Sequence, residues 1–282
     1  MDRVPPPVLV VGAVSSVQFG AAFAKTIFDE IGPGGTVFLR MLFAALVLCA
    51  IWRPRISGHG RRDVVLILLF AASLAGMNGT FYAALDRIPL GIAVTFEFVG
   101  PLGVALFGSR RRLDLVWVAL AAAGILLLSD FGGTDLDGLG VALALIAGAF
   151  WAAYILLSAR VGQVFPGGGG LALAMLVAVV PLAPFGVADG GTDLLVLSVL
   201  AVGFAVAMLS SAIPYTLELE ALRRLPAGVF GVLMSLEPAL AATAGFIVLG
   251  EDLAAREVVA ILLVVAASAG AARGANFAPR DA

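Results

Sequence analysis

The chain has one cysteine, one histidine and charged residues at only 13% of its 282 positions. Cys49 alone permits no intramolecular disulfide and no Cys/His metal set. His59 sits in an arginine-rich loop and offers little acid–base chemistry. Lys25 is the only lysine among 17 basic residues, a bias that points to codon usage more than to mechanism. The glycines at 167–170 are not followed by Gly-Lys-Ser/Thr, so they read as a flexible connector rather than a phosphate cradle. No hydrolase elbow or zinc motif is present, which leaves an intramembrane enzyme without equipment. No metal or cofactor is expected.

What is abundant is apolar surface. Hydrophobic residues make up 61% of the chain and mean hydropathy is +1.09, outside the range of soluble domains. A spanning helix needs roughly 20 mostly apolar residues. That ruler predicts ten segments: Val8 to Phe28, Gly34 to Trp52, Val64 to Leu85, Pro89 to Phe107, Leu113 to Ser129, Leu139 to Ala159, Gly170 to Gly186, Leu194 to Leu222, Pro226 to Leu249 and Ala254 to Ala272. Ala22-Phe23-Ala24 has the small-x-small form of a cleavage site, but the first segment has a counterpart in the second half and is expected to be retained.

The net charge of −2 names no partner, but the arginines are distributed asymmetrically. Arg3, Arg53, Arg55, Arg61, Arg62, Arg110, Arg111, Arg112, Arg160, Arg223, Arg224, Arg273 and Arg280 fall at the termini or in even-numbered loops, with Arg87 and Arg256 opposite. By the positive-inside rule both termini are cytoplasmic, which suits an even number of crossings. The Arg110–Arg112 run reads as a topology anchor, not a nucleic-acid contact.

An offset of 137 aligns Ala84-Leu85-Asp86-Arg87-Ile88-Pro89-Leu90-Gly91 with Ala221-Leu222-Arg223-Arg224-Leu225-Pro226-Ala227-Gly228, and Pro101 with Pro238. A slightly different offset lays Phe19-Gly20 over Trp151-Ala152. Two units of five helices follow, residues 1–132 and 133–282, meeting in the acidic, glycine-rich stretch at 132–138. Five is odd, so the second unit enters the membrane from the other side. The fold expected is an all-α membrane protein of ten transmembrane helices in two inverted repeats, with a site near the midplane.

Glu97 and Glu237 sit deep in apolar segments beside Pro101 and Pro238. Buried carboxylates in a bilayer are costly and mark a cavity, a partner or a solute. Glu97 lies about 12 Å into its segment at 1.5 Å per residue. Pro101 has no N–H, so the carbonyl of Glu97 loses its helical donor. Gly100 and Gly103 would let another helix or a solute approach. Arg40, in the second segment, either pairs with Glu97 or Glu237 or receives a substrate carboxylate. Asn78, Tyr82, Tyr154, Tyr215 and Glu218 either bond between helices or touch solute, and Pro214 predicts a bend.

Asn78, Tyr82, Pro89-Leu90-Gly91-Ile92-Ala93, Glu97-Phe98-Val99-Gly100-Pro101-Leu102, Ile213-Pro214-Tyr215-Thr216-Leu217-Glu218 and Met234-Ser235-Leu236-Glu237-Pro238-Ala239-Leu240 together resemble a known pattern. It is that of EamA-type members of the drug/metabolite transporter superfamily, nearest the bacterial threonine and homoserine exporter branch. Gln18-Phe19-Gly20 stands where many relatives have Trp-Gly. The resemblance implies a ten-helix inner-membrane carrier that expels small amino acids or related metabolites and exchanges them for protons. Its partners are then a small-molecule substrate, protons and the lipid bilayer, with a homodimer left open. A drug or other metabolite carrier on the same scaffold is the alternative, and a non-transporting membrane subunit a remoter one.

Overall fold

The computed structural model describes residues 4–54, 60–88, 90–108, 112–128, 137–237, 239–240 and 255–275. Among these the secondary structure is helical. The helices are α1 (Pro6–Trp52), α2 (Arg61–Leu85), α3 (Leu90–Glu97), α4 (Val99–Gly108), α5 (Arg112–Leu128), α6 (Gly138–Val164), α7 (Gly169–Gly190), α8 (Leu197–Ala207), α9 (Ile213–Leu222), α10 (Ala227–Met234) and α11 (Ala255–Ala275). A π-helical turn, Met208–Ala212, joins α8 to α9. Five stretches are long and apolar enough to cross a membrane: Asp29–Trp52, Arg61–Leu85, Gly138–Val164, Gly169–Leu195 and Leu197–Leu222.

At 47 residues, α1 would be about 70 Å long if straight, more than twice the hydrocarbon thickness. It is broken at Gly32, whose φ of 66° suits glycine, and Pro33 opens the second limb. The two limbs fold back on each other, as their contacts show. Arg224 Nη1 donates to the Val4 carbonyl at 3.2 Å before the first limb, and Trp52, closing the second, packs on Gly167 and Gly168. Arg223 bonds the Gly162, Phe165 and Gly167 carbonyls, so both ends of α1 lie at this arginine-bearing end of the molecule. Gly32 lies at the other end, where Gly34 N donates to Asp189 Oδ2 at 2.9 Å.

α2, α6, α7 and the α8–α9 run pass between the same two ends. α2 leaves the basic end and α6 returns to it, while Arg87 and Asp137 meet at the opposite end at 3.2 Å. Asp137 caps α6: its Oδ1 accepts from Leu139 N at 2.8 Å and Gly140 N at 3.1 Å. The Gly140 and Leu139 N–H groups, with Arg87 adding, hold this exposed carboxyl below the usual carboxylate range. A value lower in the folded state stabilises fully above the unfolded value of about 4 and is lost as pH falls through the folded one. Asp137→Ala is therefore expected to lower the melting temperature at pH 7 in detergent. The gap from wild type should close below about pH 4, and Asp137→Asn, still a good cap, should lose less.

Two sets of helices result. α2, α3 and α4 gather around α6, whereas α7, α8, the π turn and α9 pack on α1. The sets meet where α2 runs along α7; α10 lies against α4 and α11, and α5 pairs with α11 at the side. Outward faces carry Leu46, Leu68, Leu69, Val180, Phe185 and Leu197, all exposed, the apolar belt a bilayer requires. The polar side chains that sequence reading places in the membrane turn inward.

Candidate functional site

α1, α2, α3, α6 and α9, with the residues that follow α10, each deliver one or two polar groups to the centre. Arg40 lies eight residues past the Gly32 break, about 12 Å along the second limb of α1. Asn78 and Tyr82, one turn apart, share a face of α2, as Tyr215 and Glu218 share one of α9. Glu97 ends α3, Tyr154 projects from α6, and Glu237 follows the end of α10. All eight are buried, none more than 9% exposed, and they include all three tyrosines of the chain.

Asn78 is the hub. Its Oδ1 accepts from Arg40 Nη2, and its Nδ2 donates to the Leu74 carbonyl at 2.8 Å and to the Tyr215 hydroxyl at 3.2 Å. The Arg40 guanidinium also lies over the Tyr82 ring, 5.2 Å from its centroid. Tyr154 donates its hydroxyl to Glu218 Oε2 at 2.6 Å, while its ring stacks on Phe70 and tilts against Tyr215, both at 5.5 Å. Ser158, one turn along α6 from Tyr154, is fully buried.

Charge is less evenly settled than hydrogen bonding. Arg40 lies within electrostatic range of Glu97, and Glu237 within range of both Glu97 and Glu218. Among the described residues no carboxylate pairs with Arg40, whose buried Nε has no hydrogen-bond partner. Of the two sequence readings for Arg40, direct pairing with Glu97 or Glu237 is thus not found; an amide and an aromatic face hold it instead. Glu218 is anchored by Tyr154, and its neighbour Glu220 points elsewhere, bonding Arg223 at 2.9 Å and Arg224.

The backbone is irregular where the polar groups gather. The fourth predicted segment breaks at Phe98, between α3 and α4, one residue after Glu97. A Cβ on Gly148 of α6 would lie 2.5 Å from the Glu97 carbonyl oxygen, and one on Gly100 would lie 1.9 Å from that of Gly148. The carbonyl that Pro101 deprives of a donor is therefore packed against another helix's backbone. Gly103, expected to act like Gly100, has nothing within 4 Å of its Cβ position. In the second half the bend expected at Pro214 is the π turn, where Ser210 and Ser211 are buried with unpartnered hydroxyls. Pro238 lies outside the described residues.

Sequence reading did not single out Ser158, Ser210, Ser211 or Gly148. A lone serine or glycine in an apolar helix carries no signal of its own, and tertiary packing gives these four their setting. The glycines at 167–170 also differ from the flexible connector expected. Gly167, at φ 59°, seats Trp52 and offers its carbonyl to Arg223.

The sequence signature of the EamA-like transporter family matches residues 138–273. Over 94% of its length the chain is 44% identical to a threonine/homoserine exporter, RhtA, of Salmonella typhimurium, covering 90% of that protein. It matches RhtA of Escherichia coli with the same identity and coverage. A solved crystal structure superposes with a TM-score of 0.80 at 18% identity, over 96% of this chain and 97% of the other, and shows the shared fold.

Proposed function

Because this chain belongs to the EamA-like transporter family, we propose that it exports threonine- or homoserine-like amino acids across the bacterial inner membrane, driven by protons. The observation that carries the substrate reading is the 44% identity to threonine/homoserine exporters, sustained over 94% of the chain. The arginine-bearing end faces the cytoplasm, with both termini, by the positive-inside rule.

The scaffold is ten crossings in two inverted repeats, residues 1–132 and 133–282. Contacts between equivalent positions support it. Asn78 and Tyr215 are 137 positions apart, the offset of the sequence repeat, and they bond each other from α2 and α9, which run in opposite directions. A Cβ on Gly124 would meet Ala260 and Val264, which flank position 261, again 137 further on. Equivalent residues touch where a pseudo-two-fold axis passes, as in carriers whose site lies between inverted repeats.

Mechanism follows from the charge count. The cluster holds one guanidinium and three carboxylates, Glu97, Glu218 and Glu237. Tyr154 holds Glu218, and of Glu97 and Glu237 one takes either a proton or the ammonium of an amino acid, which makes the two ligands alternatives. Arg40, with a free Nε, receives the substrate carboxylate. Asn78, Tyr82 and Tyr215 hold Arg40 in place, and Tyr154 with Glu218 lines the far side. The π turn, Pro101, Pro214 and Pro238 supply the joints about which helices bend. Proteoliposomes preloaded with labelled threonine test this: an imposed pH gradient should accelerate efflux. No threonine movement in folded, inserted protein would overturn the substrate reading.

A further inference from the structure

Arg223 does more than mark the cytoplasmic side. Its Nε donates to the Gly162 carbonyl at 2.7 Å, its Nη2 to the carbonyls of Phe165 at 2.9 Å and Gly167, and its Nη1 to Glu220 Oε2 at 2.9 Å. One guanidinium thus satisfies the carbonyls left open at the C-terminal end of α6, from a different helix. The fit is close: a Cβ on Gly162 would lie 2.8 Å from Arg223 Cγ and 3.3 Å from Leu219 Cδ1. A water-exposed helix end needs no such clamp, because solvent can serve its carbonyls.

The clamp joins the two helix sets. α6 is the centre of one and α9 belongs to the other, and Trp52 of α1 packs on Gly167 and Gly168 in the connection that follows α6. Beneath the clamp the residues descend in register. On α9 they run from Arg223 through Leu222 and Leu219, each 2% exposed, to Glu218 and Tyr215; on α6 they run from Gly162 through Ser158 to Tyr154. Arg223 and its two leucines therefore stand between the basic end and the Tyr154–Glu218 bond.

The equivalent positions at the opposite end differ in chemistry. Subtracting 137 from Arg223 gives Asp86, which cannot donate to carbonyls, and from Leu219 gives Tyr82. Only the basic end can carry a guanidinium clamp at this position.

We propose that Arg223 is the latch of a gate, with Leu219 and Leu222 as its plug, that closes the basic end of the pathway to the central cluster and must release α6 for substrate to enter. The inference rests on the alternating-access reading above, but its test does not use transport. In a Cys49→Ala background, Ser158→Cys reports on the space beneath the latch and Ala178→Cys, buried in α7, reports on general loosening. Right-side-out and inverted vesicles are treated with a membrane-impermeant thiol reagent, with and without Arg223→Gln. Losing several charged hydrogen bonds should raise labelling of Ser158→Cys about tenfold or more, from the Arg223 face only, with Ala178→Cys unchanged. Unchanged labelling of Ser158→Cys, or an equal rise at both reporters, would overturn the gate. The first would make the clamp inert and the second would make it a support of the fold. A protein that moves no threonine yet shows face-specific labelling would lose its substrate assignment and keep its gate.

Discussion

Glu97→Gln is expected to reduce gradient-driven threonine efflux to the level of protein-free vesicles while leaving insertion and melting temperature close to wild type. The substitution keeps the shape of the side chain and removes its charge. Glu97 is buried at the end of α3, within range of Arg40 and Glu237, and makes no hydrogen bond among the described residues that the amide would forfeit. Folding therefore has little to lose, whereas a proton cycle loses the group that must shed its proton. Counterflow separates coupling from binding. Exchange of threonine for threonine requires no net proton movement, so it should survive in Glu97→Gln if Glu97 takes only the proton and disappear if the same carboxylate also takes the substrate ammonium. Glu237→Gln, measured beside it, shows which of the two carboxylates the ligands share. Full gradient-driven efflux by Glu97→Gln would remove Glu97 from the mechanism.

The outline of this arrangement is legible in the sequence because burying charge in a bilayer is costly enough to stand out residue by residue. Glu97, Glu237 and Arg40 announce themselves by type and depth alone. Tyr82, Tyr154, Tyr215, Asn78 and Glu218 are weaker signals, but each is a polar group in an apolar run, and all five are buried in the central cluster. Pairing is another matter. Arg40 and Asn78 are 38 positions apart and Asn78 and Tyr215 are 137, and only the packing of α1, α2 and α9 brings them together. Arginines also carry two messages that sequence cannot separate. Arg223 and Arg224 look alike in a basic loop. Yet Arg223 clamps α6 while Arg224 bonds the Val4 carbonyl beside α1. The break at Phe98 was half legible, since Pro101 marks the freed carbonyl but not what receives it.

What receives it gives the largest structural effect. Gly100→Ala is expected to destabilise the protein by about 3 kcal/mol or more, at the top of the range for overpacked cores, because the obstructing atoms are backbone. The added methyl would lie 1.9 Å from the Gly148 carbonyl oxygen and 2.6 Å from its carbon, and neither can rotate away. α4 and α6 must separate, and the separation moves Glu97, whose carbonyl lies on the Gly148 backbone at the same crossing. Transport and stability should therefore fall together, unlike in Glu97→Gln. Gly103→Ala supplies the control. It lies one turn further along α4, has nothing within 4 Å of its Cβ position, and replaces glycine by the best helix former, so it should melt at or slightly above wild type. Equal melting temperatures for Gly100→Ala and Gly103→Ala in detergent would mean that the helices do not touch at Gly100. The freed carbonyl of Glu97 would then be open toward the central cluster, where it becomes an acceptor for the substrate ammonium and no longer a packing contact.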